Sequence, residues 1–187
     1  MHAQAQLGVS SAPVYVFAYG SLIWRPDFEY SESVQVVVNG YERRFWQASH
    51  DHRGTATHPG RVVTLVPVPD GRCEGLIYRL PEKGRDAILA ALDKREQDGY
   101  ERVWLQASNV SGAGSFKALT WLASAGNPSW AGEQPIGQLA RLIKSRHGPS
   151  GSNLEYLLRL HEALEQLGIQ DVHVGGLVRQ VQTLSDD

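Results

Sequence analysis

Two rhythms divide the chain. The front two-thirds carries short apolar and β-branched runs bounded by Gly, Pro and Asn, and the last third repeats leucines at helical spacing. Val14-Tyr15-Val16-Phe17-Ala18-Tyr19 is an apolar run ended by Gly20, as expected for a strand buried on both faces. Val34 to Val38 and Tyr41 to Ala48 flank Asn39-Gly40, which fits a hairpin turn or a bulge within one long strand. Arg61 to Val68 ends in Pro67-Val68-Pro69-Asp70-Gly71, which is turn chemistry. Cys73 to Leu80 then reads as the return strand of a hairpin. Glu101 to Val110 and Phe116 to Ala123 predict another hairpin across the Ser/Gly-rich stretch Ser111 to Ser115.

The helical rhythm appears in four places. Pro81 to Gln97 carries Ile88, Leu89 and Leu92 on one face, with Gly99 just beyond as a stop. Pro135 to Arg146 opens with Pro at a plausible first helical position and places Ile136, Leu139, Leu142 and Ile143 together. Ser152-Asn153-Leu154-Glu155 matches a capping box and starts a leucine-rich helix that runs to Leu167-Gly168. Val172 to Leu184 is weaker, because Gly175-Gly176 argues against a firm helix. Strands first and helices later predict an α+β fold, with a mixed sheet curled into a barrel and helices packed outside. No repeat or long linker divides the chain. The expected organisation is a loose tail over residues 1–13, whose small polar residues offer little to bury, and a single domain over 14–187.

Composition narrows the function classes. At 187 residues, 42% hydrophobic and 20% charged, the chain suits one globular domain with its own core. Eighteen Lys and Arg against 20 Asp and Glu give a formal charge of −2, which removes the electrostatic footprint of a nucleic-acid or anionic-membrane binder. No stretch approaches the roughly 18 apolar residues of a membrane span, and the N-terminus lacks the charged start and apolar middle of a signal peptide. The expected compartment is the cytoplasm. A single cysteine, Cys73, leaves no internal disulfide framework and no Cys-based zinc site, and reads as a small buried apolar residue.

Candidate chemistry gathers at few points. Tyr19-Gly20-Ser21-Leu22 ends a strand in a tight turn, either a plain connection or a nest of N–H groups able to hold an anion. It has no G-x-G-x-x-G pattern and is not a dinucleotide fingerprint. Ile88, Leu92 and Glu96 follow at i, i+4 and i+8, so Glu96 continues an apolar face in the last turn of its helix. Desolvation and the helix dipole both raise a carboxylate's pKa there, which suits a general base. Pairing with a nearby Arg, or reaching out to water, is the other reading. His50, Asp51, His52 and His58 could ligate zinc, but their spacing matches no known zinc pattern, and a solvated loop fits them better.

Several of these segments, in order, resemble the ChaC-type γ-glutamylcyclotransferases. Phe17-Ala18-Tyr19-Gly20-Ser21-Leu22-Ile23-Trp24 is similar to the family's Y-G-S-L loop. Arg43-Arg44-Phe45-Trp46-Gln47, Asp51-His52-Arg53-Gly54 and Pro59-Gly60-Arg61-Val62-Val63-Thr64-Leu65 follow. Then come Gly75 to Leu80, Arg95-Glu96 with Gly99-Tyr100, and Gly148-Pro149-Ser150-Gly151 with Asn153 and Glu155-Tyr156-Leu157. The likeness runs from about Val14 to about Leu167. Ala18 stands where the family often has Gly. Trp130 replaces a Tyr in Asn127-Pro128-Ser129-Trp130-Ala131-Gly132, which bears on the pocket rim.

The resemblance implies a mixed barrel with helices outside, and cleavage of glutathione to 5-oxoproline and cysteinylglycine by intramolecular cyclisation. It implies no metal, no organic cofactor and no obligate protein partner. It assigns Glu96 as catalytic acid/base, and Tyr19, Gly20, Ser21 and Leu22 as the substrate loop. Tyr156 is assigned as a substrate-contacting tyrosine on the late helix, and Tyr100 and Arg61 as further substrate contacts. Competing expectations are a cyclotransferase for other γ-glutamyl amino acids or amines, a non-catalytic γ-glutamyl binding module, and a zinc hydrolase built on the histidine loop. Glu96 separates the binding module from the enzyme, because only cyclisation needs a base there.

Overall fold

The computed structural model describes residues 12–112 and 114–184. The tail expected over residues 1–13 therefore lies almost wholly outside the described residues. Five strands close into a barrel in the order β1-β3-β2-β4-β5. They are β1 (Tyr15–Ala18), β2 (Glu32–Ser49), β3 (Gly60–Arg79), β4 (Tyr100–Asn109) and β5 (Ser115–Ala123). Neighbours are antiparallel except β1 and β5, whose parallel pairing closes the barrel and makes the sheet mixed. Four helices complete the α+β fold: α1 (Arg85–Arg95), α2 (Ile136–Ser145), α3 (Asn153–Gln166) and α4 (Val172–Gln182).

The hairpin expected between Arg61 and Leu80 is absent. Both apolar runs belong to one 20-residue strand that pairs with the 18-residue β2 along its whole length. The two turn-like segments face each other across that pair, where the register jumps from Asn39↔Arg72 to Tyr41↔Pro67. Gly40 sits there at φ 81, a conformation that costs glycine little. Of the two readings open at Asn39-Gly40, the bulge in one long strand is the one formed. It bends strands too long to stay flat around the barrel.

Helix boundaries shift for local reasons. The helix expected from Pro81 begins at Arg85, because residues 81–84 form a turn closed by Gly84 as N-cap. It ends at Arg95: Glu96 still donates its N–H to Leu92 O (2.8 Å), but its own ψ of 47° has left the helix. The capping box before α3 is formed, with Ser152 accepting from the Glu155 N–H. The weak segment at Val172 is a true helix. Asp171 caps Val174 N at 2.9 Å, and Val174, Leu177, Val178 and Val181 are buried. At Gly176 an added Cβ would stand 3.1 Å from Ile136, so the missing side chain lets α4 seat against α2. Cap and packing outweigh the glycine propensity cost. Phe17, Phe45, Leu65 and Ile77 fill the barrel, and Leu139, Ile143, Leu157, Leu160 and Leu177 join the helices to it.

Candidate active site

Glu96 stands where α1 gives way to a turn that carries two positive-φ residues, Asp98 and Gly99, before β4 begins. That turn is clamped from outside. Gln47 Nε2 donates to Asp98 O (2.7 Å) and Asn127 Oδ1 (3.0 Å), and Ser129 Oγ donates to Asp98 Oδ1 (2.6 Å). The Asn127–Gly132 segment therefore fixes the chain beyond Glu96. Trp130 packs edge-on against Trp46 and lines neither cavity at Glu96, which corrects its expected place on the rim.

A small cavity of about 40 Å³ opens between the barrel and Glu96. Tyr19, Gly20, Ser21 and Leu22 form one wall, and Glu96, Tyr100 and Tyr156 the others. It adjoins a wider cleft of about 320 Å³ that shares Ser21, Glu96, Tyr100 and Tyr156 with it. Seven of the eight residues expected at the site are thus brought together. Arg61 is not. Asn153 grips its main chain, accepting from Arg61 N and donating to Arg61 O at 2.7 Å each. Its Nη1 turns back to Gly60 O (3.0 Å), and it lines neither cavity. Burial and the neighbouring Arg146 lower its pKa.

Each tyrosine is anchored. Tyr19 Oη donates to Trp121 O at 2.6 Å, and Tyr100 Oη to Val63 O at 2.7 Å. The Tyr156 ring meets Trp24 and Phe45 edge-on at 5.5 and 5.8 Å, with the Arg53 guanidinium 5.5 Å from its centroid. A Cβ at Gly20 would lie 3.0 Å from Val63 and 3.3 Å from the Tyr156 hydroxyl, so only glycine lets this turn approach so closely. Ser21–Ile23 make one 3₁₀ turn, and the N–H groups of Ser21 and Leu22 donate to no described residue. The opening N–H groups of a helical turn have no internal partner. Arg95 Nη2 holds the Ser21 hydroxyl at 3.0 Å.

The electrostatics single out Glu96. Burial raises its pKa, opposed in part by Arg95, whose Nε lies 3.4 Å from Oε1. No described residue donates a hydrogen bond to its carboxylate. The ion pair with an Arg foreseen as the other reading is therefore present, yet too poorly aligned to cancel the desolvation. Burial, and secondarily Glu96, push Tyr19 well up. Burial also dominates the upward shifts of Tyr100 and Tyr156. All three phenols stay neutral at physiological pH, so among the titratable side chains described around the small cavity Glu96 is the one able to exchange a proton there.

The histidines disperse: His52 Nδ1 meets Ser150 Oγ at 3.1 Å, and His58 Nδ1 meets Thr57 Oγ1 at 3.1 Å. Among the described residues no three His, Cys, Asp or Glu side chains converge on one point. Cys73 is buried, and burial raises its thiol pKa to about 11, which keeps it an apolar filler. A third hollow, of about 930 Å³, lies against Arg43, Trp46, Asp171 and His173, and shares no residue with the Glu96 cavities.

With this geometry in hand, comparison with known proteins is informative. The family model described as "ChaC-like protein" matches residues 14–184. The chain belongs to the ChaC-like family. It is 40% identical over 177 residues to Gamma-glutamylcyclotransferase 2-3 of Arabidopsis thaliana, with 90% of this chain and 88% of that one covered. It is 38% identical over 183 residues to human Glutathione-specific gamma-glutamylcyclotransferase 1, covering 91% of this chain and 79% of that one. The crystal structure of the yeast γ-glutamylcyclotransferase specific to glutathione superposes with a TM-score of 0.86 at 28% identity, covering 92% of this chain and 96% of that one. This ChaC-like chain therefore shares its barrel and its order of elements with a solved enzyme.

Two arginines at the site have no role among the sequence expectations: Arg53 lies in the Asp51–Gly54 segment, and Arg95 precedes Glu96. The visible signal for Arg53 was an arginine inside a Gly/Thr/Pro-rich loop, where a cation has no helix or strand surface to solvate.

Proposed function

We propose that this protein is a glutathione-specific γ-glutamylcyclotransferase, releasing 5-oxoproline and cysteinylglycine in the cytosol. The observation that carries the reading is Glu96. It is a desolvated carboxylate with no hydrogen-bond donor among the described residues, at the junction of a small polar cavity and a cleft that would take the remaining dipeptide. The names of the human relative and the yeast structural match support glutathione as the substrate.

The chemistry follows from the substrate. Its α-amine must attack its own γ-carbonyl carbon, and as an ammonium it has no lone pair. Glu96 takes one proton, the freed amine attacks, and the C–N bond of the five-membered ring forms. The ring nitrogen then sheds its second proton, the amide C–N bond to cysteine breaks, and the leaving nitrogen collects both protons, the first handed on by Glu96, and departs as an ammonium. A raised pKa suits both transfers near neutral pH. The nucleophile is already in the substrate, so folding the γ-glutamyl chain into an attacking shape supplies much of the acceleration. Ser21 and Leu22 line the same cavity, and their N–H groups, which donate to no described residue, would stabilise the developing oxyanion. Tyr19, Tyr100 and Tyr156 would wall the γ-glutamyl group.

Incubation with reduced glutathione and with γ-Glu-Ala, each with EDTA and an assay for 5-oxoproline, tests the reading. We expect product from glutathione with EDTA present and much slower release from γ-Glu-Ala. Equal kcat/KM for the two would move the protein to a general γ-glutamyl substrate range. Loss of activity on chelation, restored by zinc, would overturn the metal-free mechanism.

A further inference from the structure

Arg53 is 8% exposed, yet its guanidinium is only partly used. Its main-chain N–H donates to Ser49 Oγ (3.0 Å), and Nη1 donates to Ser152 O and Glu155 Oε2, both at 3.1 Å. Nε and Nη2 donate to no described residue, and Arg53 lines the wider cleft. These two nitrogens form the side-on edge that binds a carboxylate in bidentate fashion. Local charge leaves the edge uncompensated, because Glu155 is shared: its Oε1 pairs with Arg159 Nε at 2.8 Å while Oε2 serves Arg53. Two cations thus meet one anion.

Position selects which carboxylate the edge takes. The γ-glutamyl head must sit where its amine reaches Glu96, in the small cavity, which Arg53 does not line. Arg53 lines only the outer cleft, where the leaving dipeptide extends. Two residues span roughly 7 Å when extended. Tyr156 belongs to both cavities, and the Arg53 guanidinium stands over its ring, so one side chain links the two compartments.

We propose that Arg53 binds the C-terminal glycyl carboxylate of the substrate and thereby sets the preference for the tripeptide. The proposal rests on the glutathione reading above. Arg53 acts on binding of the leaving half, so its contribution appears in KM more than in kcat.

The test compares glutathione with its glycine-amide analogue on the wild-type protein, Arg53→Gln and Arg53→Lys, reading 5-oxoproline and melting temperature. The wild type should turn over the acid about 10–100-fold more efficiently than the amide, the scale of a charge-assisted bidentate contact. Arg53→Gln should bring the acid down to the level of the amide while changing the amide by only a few-fold. Arg53→Lys should recover part of the difference, since it keeps the charge and loses the edge. Equal efficiency of the wild type on acid and amide would overturn the assignment without any variant. Equal losses on both substrates in Arg53→Gln would make Arg53 a support for the site's shape and likewise overturn it. Product from neither substrate would defeat the glutathione reading itself, and this proposal with it.

Discussion

The hollow of about 930 Å³ beside Arg43 and the smaller cavities around Glu96 are lined by similar side chains: arginines, carboxylates and aromatic rings. They differ in how much bonding capacity remains. In the large hollow, Arg43 gives Nε to Tyr19 O (2.5 Å), Nη1 to Asp171 (2.5 Å) and Nη2 to Glu74 O (2.6 Å). Arg44 pairs with Glu42, and Arg72 with Glu74. His173 accepts from Phe45 N, and burial, then Arg44, lower its pKa to about 4, so it stays neutral. Around Glu96 the carboxylate accepts no hydrogen bond from a described residue, and two donors of Arg53 have no partner among them. Volume would have chosen the first place. Gln134 Oε1 in the large hollow also lacks a described partner, but it is neutral. Unused capacity on charged groups, the half-buried Glu96 and the buried Arg53, chooses the second, because a charge drawn out of water without full partners is costly unless something else compensates it.

Substituting one charge from each region breaks or sharpens this contrast. Glu96→Gln keeps the size but cannot accept the ammonium proton, so kcat should fall by roughly 10²–10⁴ with KM little changed. Its melting temperature should hold or rise at pH 7. With the folded pKa raised, the carboxylate costs stability above that pKa and costs none below the unfolded value. The gain should therefore vanish in acid. Turnover within a few-fold of wild type would remove Glu96 from the mechanism and send the search to Asp98 or Glu101.

Arg43→Met should behave in the opposite way. It strands Asp171, whose side chain is 14% exposed, and leaves the Tyr19 and Glu74 carbonyls without their donor. The expected loss is about 3–5 kcal/mol, or about 10 °C or more in Tm for a chain of this size. The Arg53→Gln variant, whose partner Glu155 is 40% exposed, should lose no more than about 1 kcal/mol. Thermal melts of both variants check the pair. Equal losses would dissolve the distinction between spent and unspent arginines.

The candidate site was more legible than the path of the strands. Spacing from Ile88 and Leu92 marks Glu96, and the Gly20-Ser21 pattern marks the turn, but each leaves a plain structural reading open; the family resemblance chooses between the readings and adds Tyr156. What hid the long β3 was also local. Pro67 to Gly71 carries every mark of a turn, and only the neighbouring β2, 18 residues long with its own Gly40 bulge, shows that the chain runs on. The helix at Val172 was obscured in the same way. Its glycines lower propensity, while the contacts that outweigh this come from Ile136 on another element. The resemblance assigns a substrate contact to Arg61 and none to Arg53, although both lie in motif segments. Which of them reaches the cleft depends on Asn153, more than 90 residues away.

The most direct test of the central claim is the pH dependence of kcat/KM for glutathione turnover. A desolvated Glu96 that must be ionised to accept the ammonium proton predicts activity falling on the acid side, with a midpoint above the ordinary glutamate value of about 4.3. That limb should be missing from the residual activity of Glu96→Gln. Wild-type activity that stays level down to the ordinary carboxylate range, or an acid limb that survives unchanged in Glu96→Gln, would contradict the account.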